Sequence, residues 1–420
     1  MIEVNIEKKE KAILVAVSSG DAKETTTEYL NELSQLAETA GAEVIIKVSQ
    51  DKGRFDPAFY VGKGKAEELS QLADMNEADL IIFDDDLSPV QVRNLEKVIN
   101  KKIVDRSGLI LDIFASRART KEAKTQVELA QLQYMLPRLT RAWTHFSKQL
   151  GGIGTKGPGE TQIETDRRII RTRISSLKEK LLKIESQRQT KSAQRKNFVR
   201  ASLVGYTNAG KSTLMNLLTE ADTLAENKLF ATLDSTTRLF ELDKSHEILI
   251  SDTVGFIRKL PHHLVASFKS TLNEVRESDI ILHVIDVSHP YFEDHMSVVK
   301  ETLNELGCQN KKEFKIFNKV DALEDPGRVK ELLNKYENAV FISAARGINI
   351  SKLKEMLIGY IESEFTEETI SLTHEDQKKI AQIHSLAEVL SIDYDDDKVV
   401  IKFKADKKNY NKLKSILYEH

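Results

Sequence analysis

The residues with the strongest chemical signature form an eight-residue segment suited to binding phosphate. Two glycines, Gly205 and Gly210, are separated by four residues, so the backbone between them can turn with successive N–H groups pointing inward. The apolar run before the segment predicts a strand, and the residues after it predict a helix whose positive dipole end lies at the same place. Lys211 adds a point charge for the outer phosphates, and the Ser212 hydroxyl suits Mg²⁺, which prefers oxygen ligands. The predicted polyphosphate contacts are Gly205, Tyr206, Thr207, Asn208, Ala209, Gly210, Lys211 and Ser212.

A second segment supplies groups for the metal ion and the terminal phosphate. Asp252 follows a strand predicted over residues 247–251, which contain the apolar run 248–250, and its carboxylate is expected to hold Mg²⁺ through water. Gly255 is expected to turn its flexible backbone amide onto the γ-phosphate. The predicted nucleotide contacts in this segment are Asp252, Thr253, Val254 and Gly255.

A threonine-rich stretch lies between these two segments. One threonine is expected to complete the Mg²⁺ shell when the γ-phosphate is present, and we choose Thr232 over Thr236 and Thr237. Loss of the phosphate would release this stretch and the segment after Asp252, which is an order-to-disorder switch. The metal ligands are predicted to be Ser212, Thr232 and Asp252, and the catalytic groups Lys211, Thr232 and Gly255. The predicted nucleotide contacts in the stretch are Phe230, Ala231, Thr232, Leu233 and Asp234.

Two further segments predict the base that is bound. Asp321 closes an Asn-Lys-Val-Asp segment after a predicted strand, and its carboxylate can accept from both N1–H and the exocyclic amine of guanine. Adenine offers neither donor and would leave the carboxylate unpaired, so GTP and GDP are the expected ligands. Asn318 is expected to buttress the site and reach N7, and a backbone N–H after the next strand is expected to reach O6. The predicted base contacts are Asn318, Lys319, Val320, Asp321, Ser343, Ala344 and Ala345.

The residue that follows Gly255 is unusual for a hydrolase of this kind. Many small GTPases place a glutamine there to orient the attacking water, whereas this chain has Phe256. An apolar ring cannot orient water, so we expect slow intrinsic hydrolysis that a partner completes by ordering the loops. Packing of Phe256 in the core is the alternative interpretation, and it leads to the same kinetic expectation.

The middle of the chain predicts a basic helical hairpin. Residues 115–200 contain 20 Lys or Arg against 7 Asp or Glu, while the whole chain has a net charge of −3. Apolar residues recur at the spacing of a coiled-coil seam, and the glycine-rich residues 151–159 would form the tip. Arg167, Arg168, Arg171 and Arg173 lie near that tip and favour a nucleic-acid partner, with a solvated basic helix face as the alternative. The seam is Ile163, Ile170, Ile174, Leu177, Leu181 and Ile184, facing Leu129, Leu132 and Leu136.

Alternating strands and helices on either side of the hairpin predict an α/β protein of four parts. Residues 1–114 are expected to form an N-terminal α/β domain, in which Asp84, Asp85 and Asp86 are interpreted as a solvated strand end rather than a metal site. Residues 115–197 form the hairpin, and residues 198–363 a doubly wound P-loop GTPase domain. Residues 364–420 are expected to form a small α+β module after a short acidic linker, with a helix over residues 377–390.

Composition bounds the cellular setting. Cys308 is the single cysteine and cannot form an internal disulfide, and no apolar run approaches the roughly 20 residues that span a bilayer. We therefore expect a cytoplasmic protein without membrane insertion or DNA binding, monomeric when free, with peripheral association with a membrane left open.

Several of these segments together resemble the HflX family of ribosome-associated GTPases, and the resemblance covers essentially the whole chain. It implies the four-part organisation above and binding to the large (50S) ribosomal subunit and its rRNA, with the hairpin tip reaching toward the catalytic centre. It also implies splitting or rescue of stalled ribosomes, and family members are described as remodelling RNA with ATP through the N-terminal domain. A signalling GTPase with an acidic protein partner is the alternative. The matching segments are residues 60–65, 105–106, 151–160, 205–212, 230–234, 252–256 and 318–321.

Overall fold

The protein is described by a computed structural model. The residues described are 9–18, 20, 23–139, 162–192, 198–219, 229–261, 269–323, 325–336, 339–374, 376–394 and 398–418. Among them, no helix combines the length and the apolar character needed to cross a bilayer.

The N-terminal part contains a parallel sheet in the strand order β2-β1-β3-β4. Its central strand is apolar and buried along nearly its whole length, because helices cover the sheet. The boundary placed after residue 114 falls inside α4, which continues to Arg117. The strands are β1 (Lys11–Ser18), β2 (Glu43–Asp51), β3 (Leu80–Phe83) and β4 (Lys102–Val104). The helices are α1 (Lys23–Thr39), α2 (Lys63–Met75), α3 (Pro89–Ile99) and α4 (Arg106–Arg117).

Two helices follow as an antiparallel pair, α5 (Lys121–Met135) and α6 (Gln162–Ser192). The seam predicted for α6 faces inward: Leu177 is buried, and the other seam positions are half-buried. Arg173 joins the two helices through bonds of 2.6 and 3.0 Å to Glu128. The glycine-rich residues 151–159 lie outside the described residues.

A six-stranded sheet follows in the order β10-β9-β8-β5-β7-β6, in which only the β6–β7 pair is antiparallel. The strand order changes side at β5, since β6 and β7 lie on one side of it and β8, β9 and β10 on the other. The carboxyl end of β5 therefore opens onto the crevice where such sheets bind ligands. The strands are β5 (Val199–Val204), β6 (Thr236–Glu241), β7 (Glu247–Asp252), β8 (Ile280–Asp286), β9 (Lys312–Asn318) and β10 (Ala339–Phe341). The helices are α7 (Lys211–Thr219), α8 (Lys269–Glu277), α9 (Phe292–Glu305), α10 (Pro326–Lys335) and α11 (Ile350–Glu364).

The C-terminal part is a three-stranded antiparallel sheet in the order β11-β13-β12, with two helices. The predicted acidic linker is absent, because β11 begins at Phe365 directly after α11. The helix predicted over residues 377–390 ends at Leu386, and residues 388–394 form a strand because they pair with β13. The elements are β11 (Phe365–Thr373), α12 (Gln377–Leu386), β12 (Glu388–Tyr394), β13 (Lys398–Asp406) and α13 (Lys407–Tyr418).

The N-terminal part and the loops around the predicted phosphate site share one apolar cluster. Residues from α1 and α4 pack in the same buried cluster as residues that flank the predicted phosphate site. Phe114 of α4 meets Phe230 edge to face, with ring centroids 4.8 Å apart. The loops around the nucleotide are therefore in contact with the N-terminal part.

Candidate nucleotide-binding site

The segment from Gly205 to Ser212 forms a cradle between β5 and α7. Gly210 has a φ of 92°, and a Cβ there would lie 2.3 Å from Asn318 Nδ2, so only glycine fits. The Thr207 hydroxyl is buried and has no hydrogen-bond partner within the described part of the chain. A pocket opens at this cradle, which is the arrangement expected for an anion with several oxygens. Its lining consists of Thr207, Asn208, Gly210, Lys211, Ser212, Thr213, Phe230, Ala231, Thr232, Thr253 and Gly255.

Lys211 lies buried beneath this pocket. Its Nζ donates to the carbonyl oxygens of Gly205 at 3.1 Å and Tyr206 at 3.0 Å, so the amine is folded onto its own loop. Burial lowers the pKa of Lys211 to about 8 from an ordinary value of 10.5, and the nearby Asp252 carboxylate only partly offsets this effect. A bound phosphate would place a negative charge beside Lys211 and would thereby stabilise its ammonium form.

GTP affinity is expected to decrease as the pH rises above about 8. The free protein then carries a neutral Lys211 amine, whereas the complex requires the ammonium, so binding must take up a proton. Affinity should fall by up to about tenfold for each pH unit until the pH reaches the pKa of Lys211 in the complex, which the bound phosphates raise. Calorimetric titrations with GTP between about pH 7.5 and about pH 9.5, in buffers of different ionisation enthalpy, measure both the GTP affinity and the number of protons taken up on binding. A flat affinity without proton uptake would contradict the assigned pKa.

Three oxygen-bearing side chains meet beside the cradle. Ser212 Oγ lies 2.7 Å from Thr232 Oγ1 and donates to Asp252 Oδ2 at 2.7 Å. The other carboxylate oxygen of Asp252 is buried without a partner among the residues that the structure describes, and burial raises the pKa of this group. An orphaned carboxylate oxygen beside two hydroxyls fits a hard cation such as Mg²⁺. Thr237 instead contacts Ser251 at 2.8 Å.

Position 255 requires glycine because the phosphate cradle lies very close to its backbone. A Cβ at this position would lie 2.8 Å from Thr207 Cα and 3.1 Å from Lys211 Nζ. The backbone of Phe256 pairs with the cradle, since its N–H donates to Gly205 O at 3.0 Å and its carbonyl accepts from Thr207 N at 2.7 Å. The Phe256 ring is buried in an apolar cluster away from the phosphate pocket, as the core-packing interpretation expected.

Asn318 connects the phosphate cradle to the predicted base segments. Its Nδ2 donates to Ala209 O and its Oδ1 accepts from Ala344 N, both at 2.9 Å, so it buttresses the site. Lys319 has a φ of 65° and its Nζ lies 2.7 Å from Asp286 Oδ2, which holds its stem beside the site. Asp321 takes part in one ion pair among the described residues. Its Oδ2 lies 3.3 Å from Nε of the exposed Arg346.

The structure turns several predicted contact residues away from the phosphate pocket. The hydroxyl of Tyr206 reaches Glu32 of α1, and Asp234 accepts from Thr120 and from the amide of Arg119. Leu233 and Val254 are buried in the shared apolar core. At these positions the prediction now rests on backbone atoms alone. Thr213 lines the pocket and was missed, although its place in the first turn of α7 could have indicated it.

Family comparisons agree with this geometry. A family described as "GTP-binding GTPase N-terminal" matches residues 27–115, one described as "GTP-binding GTPase Middle Region" matches residues 117–195, and "50S ribosome-binding GTPase" matches residues 200–319. A GTPase HflX from Caldanaerobacter subterraneus is 45% identical to this chain, over 94% of this chain and 90% of its own length. The chain belongs to the HflX family. The predicted P-loop GTPase fold and GTP hydrolysis as the activity are thereby confirmed.

Two other HflX proteins have comparable sequence identity to this chain. GTPase HflX from Escherichia coli is 42% identical over 90% of this chain and 89% of its own length. GTPase HflX from Flavobacterium psychrophilum is 52% identical over 77% of this chain and 78% of its own length. Among solved structures, a GTP-binding protein from Sulfolobus solfataricus in complex with GDP is 24% identical, covers 83% of this chain and 98% of its own, and has a TM-score of 0.44.

Proposed function

We propose that this GTPase binds the large (50S) ribosomal subunit in its GTP-bound state and splits or rescues stalled ribosomes. The nucleotide switch lies at the phosphate cradle, and the RNA-binding surface lies on the basic helix α6. The observation that carries the proposal is the physical connection between the two, through Asp234 and the start of α5. The match of residues 200–319 to the family described as "50S ribosome-binding GTPase" supports the choice of partner.

The proposed roles of the site residues follow from the contacts above. Ser212 and Thr232 would hold Mg²⁺ directly and Asp252 through water, while Lys211 and the Gly255 amide would contact the γ-phosphate. Bound Mg²⁺ would neutralise charge on the β- and γ-phosphates. Lys211 would exchange its carbonyl partners for phosphate oxygens, which are the stronger partners because both groups are charged. Asp321 would select guanine.

The connection to the hairpin begins two residues after Thr232. Asp234 accepts from the Thr120 hydroxyl and from the amide of Arg119 at 3.0 Å. Thr120 is also the N-cap of α5, since its Oγ1 accepts from Ala123 N at 3.1 Å. A change in the loop around Thr232 therefore acts directly on the first turn of α5, and α5 is paired with α6.

The four arginines in the first half of α6 fall into two groups. Arg173 is paired with Glu128, and Arg167 donates to Leu139 O at 2.9 Å, so both help to hold the hairpin together. Arg168 and Arg171 are exposed. We propose that these two contribute most to contact with phosphates of rRNA, because their exposed side chains are accessible to a large polyanion.

Co-sedimentation with 50S subunits tests the proposal. The chain should pellet with 50S in the presence of a non-hydrolysable GTP analogue and remain in solution with GDP. Arg168→Ala combined with Arg171→Ala should weaken binding and flatten its dependence on salt, by about one unit of log–log slope for each lost phosphate contact. Lys330→Ala combined with Lys352→Ala, two exposed lysines of α10 and α11, is the matched control.

Three outcomes would contradict parts of the proposal. Equal binding with GDP and with the GTP analogue would remove the nucleotide switch. An unchanged salt slope in the arginine variant would remove the hairpin from the interface. A pelleted complex that survives ribonuclease, and that forms with an acidic protein, would favour the signalling GTPase instead.

A further inference from the structure

A second pocket opens beside the predicted metal site. Its volume is about 140 Å³. Ser212 and Thr232, two of the predicted Mg²⁺ ligands, line both this pocket and the phosphate cradle, and Asp252 also lines it. The two pockets are therefore neighbours with shared wall residues. The nucleotide and Mg²⁺ occupy the cradle in the proposed function, whereas the second pocket has no assigned ligand.

Three arginine side chains from separate segments line the second pocket. Arg117 lies in the last turn of α4, Arg119 lies just before α5, and Arg238 lies on β6. Guanidinium groups remain protonated at any ordinary pH. Within the part of the chain that the structure describes, the side chains of Arg119 and Arg238 make no hydrogen bond or ion pair. Their charges are thus available to a ligand.

The two carboxylates that line the pocket are already engaged. Asp234 accepts from the Thr120 hydroxyl and from the backbone amides of Arg119 at 3.0 Å and Thr120 at 3.3 Å. Asp252 accepts from Ser212 at 2.7 Å, and bound Mg²⁺ would neutralise it further. Three guanidinium groups and a metal ion then outweigh two carboxylates, so the pocket favours an anion.

Local structure holds the arginines around this pocket. Thr236 and Arg238 are two residues apart on β6, so they lie on the same face of the strand, and Thr236 pairs with Asp252 in register. The hydrogen bonds to Asp234 hold the backbone of Arg119 against the loop that contains Thr232. The junction between α4 and α5 and the strand β6 are therefore brought to one place beside the metal site.

Inorganic phosphate matches this pocket in size and in charge. Arginine guanidinium groups bind phosphate oxygens through paired, charge-assisted hydrogen bonds. A volume of about 140 Å³ holds a single phosphate ion, whereas larger organic ligands occupy pockets of roughly 300 Å³ or more. GTP hydrolysis produces phosphate in the neighbouring cradle, so the ion forms within reach of the arginines.

We propose that this pocket binds inorganic phosphate and retains the product of GTP hydrolysis after it leaves the γ position. Thr232 lies in the shared wall, and its release when the γ-phosphate is cleaved would open a path from the cradle to Arg119 and Arg238. The protein then passes through a state that contains GDP, Mg²⁺ and phosphate together. The inference rests on the placement of Mg²⁺ and the γ-phosphate in the proposed function and needs no ribosome, so failure of 50S binding would leave it intact.

Titration of the full chain, loaded with GDP and Mg²⁺, with inorganic phosphate tests the proposal. Phosphorus NMR and calorimetry should show one site of millimolar affinity, with no effect of chloride at equal ionic strength. Arg119→Gln combined with Arg238→Gln should weaken phosphate binding at least about tenfold, because hydrogen bonds to a charged ligand are lost. Arg276→Gln combined with Arg328→Gln, two exposed arginines of α8 and α10, is the matched control and should bind phosphate as the parent does.

A second pair of substitutions separates phosphate recognition from an effect on folding. Arg119→Lys combined with Arg238→Lys keeps both charges and loses the planar fork, so its phosphate affinity should lie between those of the parent and the glutamine variant. The GDP affinity of both double variants should stay within about twofold of the parent, because the nucleotide binds in the neighbouring cradle.

Four results would overturn the proposal. Absence of phosphate binding to the parent at millimolar concentrations would remove the site. Equal phosphate affinity in the parent and the glutamine variant would place the ion in the empty γ position of the cradle. A parallel loss of GDP and phosphate affinity in both double variants would show that the arginines only support the fold. Arginine-dependent binding of a short RNA, without binding of free phosphate, would assign the pocket to nucleic acid.

Discussion

Lys211→Ala is expected to abolish GTP binding at micromolar concentrations, with a loss of affinity on the order of 100-fold or more and no measurable hydrolysis. The change removes the ammonium that would meet the β- and γ-phosphates. It also leaves the carbonyl groups of Gly205 and Tyr206 without their present donor. The first effect weakens the bound state, and the second disturbs the cradle of the free protein.

Calorimetry with a GTP analogue, together with a phosphate-release assay, measures this loss. Lys300→Ala removes a lysine from the exposed face of α9 and should behave as the parent. Retained binding in Lys211→Ala would refute the assignment of the cradle. Full retention of ATP turnover in the same variant would place a second nucleotide site elsewhere in the chain, as the family resemblance implies for the N-terminal part.

Asp321→Asn is expected to shift the preference from guanine to xanthine nucleotides. The carboxylate can accept from two donors of guanine, whereas the amide of asparagine places a donor against them and suits the additional carbonyl of xanthine. Loss of hydrogen bonds to a charged group predicts a fall in GTP affinity of roughly 10- to 100-fold, together with a gain in XTP affinity.

Competition between GTP and XTP for the site measures the shift, and hydrolysis of XTP shows that the site remains productive. Asp325→Asn is the matched control, since Asp325 caps α10 through the amide of Gly327 and is expected to leave the base preference unchanged. Unchanged GTP affinity in Asp321→Asn would refute the proposed recognition of guanine by the Asp321 carboxylate.

The local parts of the site were predictable because the residues that form them are consecutive or nearly consecutive in the sequence. The cradle, the strand that ends at Asp252 and the position of Asn318 follow from spacing and from the apolar runs before them. The reason for Gly255 differs from the one expected: the sequence suggested backbone flexibility, whereas the structure shows that a side chain would collide with Thr207. The close contact between Gly255 and Thr207, which lie in distant segments, cannot be predicted from the residues next to either position.

The long-range contacts could not be predicted from local patterns. Asp84 was interpreted as part of a solvated strand end, yet it is 1% exposed, because Arg106 and Lys259 neutralise it. Lys259 is 175 residues away, so nothing near Asp84 indicates it. The first three residues of β12, residues 388–390, were taken for helix for a similar reason, since pairing with β13 decides their conformation and outweighs their intrinsic preference.

The separation between Glu32 and Tyr206 also bears on how the chain matures during translation. The two residues are 174 positions apart, so at about 5–20 residues per second the nascent N-terminal sheet emerges on the order of ten seconds before the cradle. During that interval Glu32 and Asp84 share Arg106 as their one buried counter-charge among the described contacts of that sheet. The early sheet therefore carries an excess negative charge, and its final consolidation waits for the arrival of Arg258, whose Nη2 lies 3.7 Å from the Glu32 carboxylate, and of Lys259.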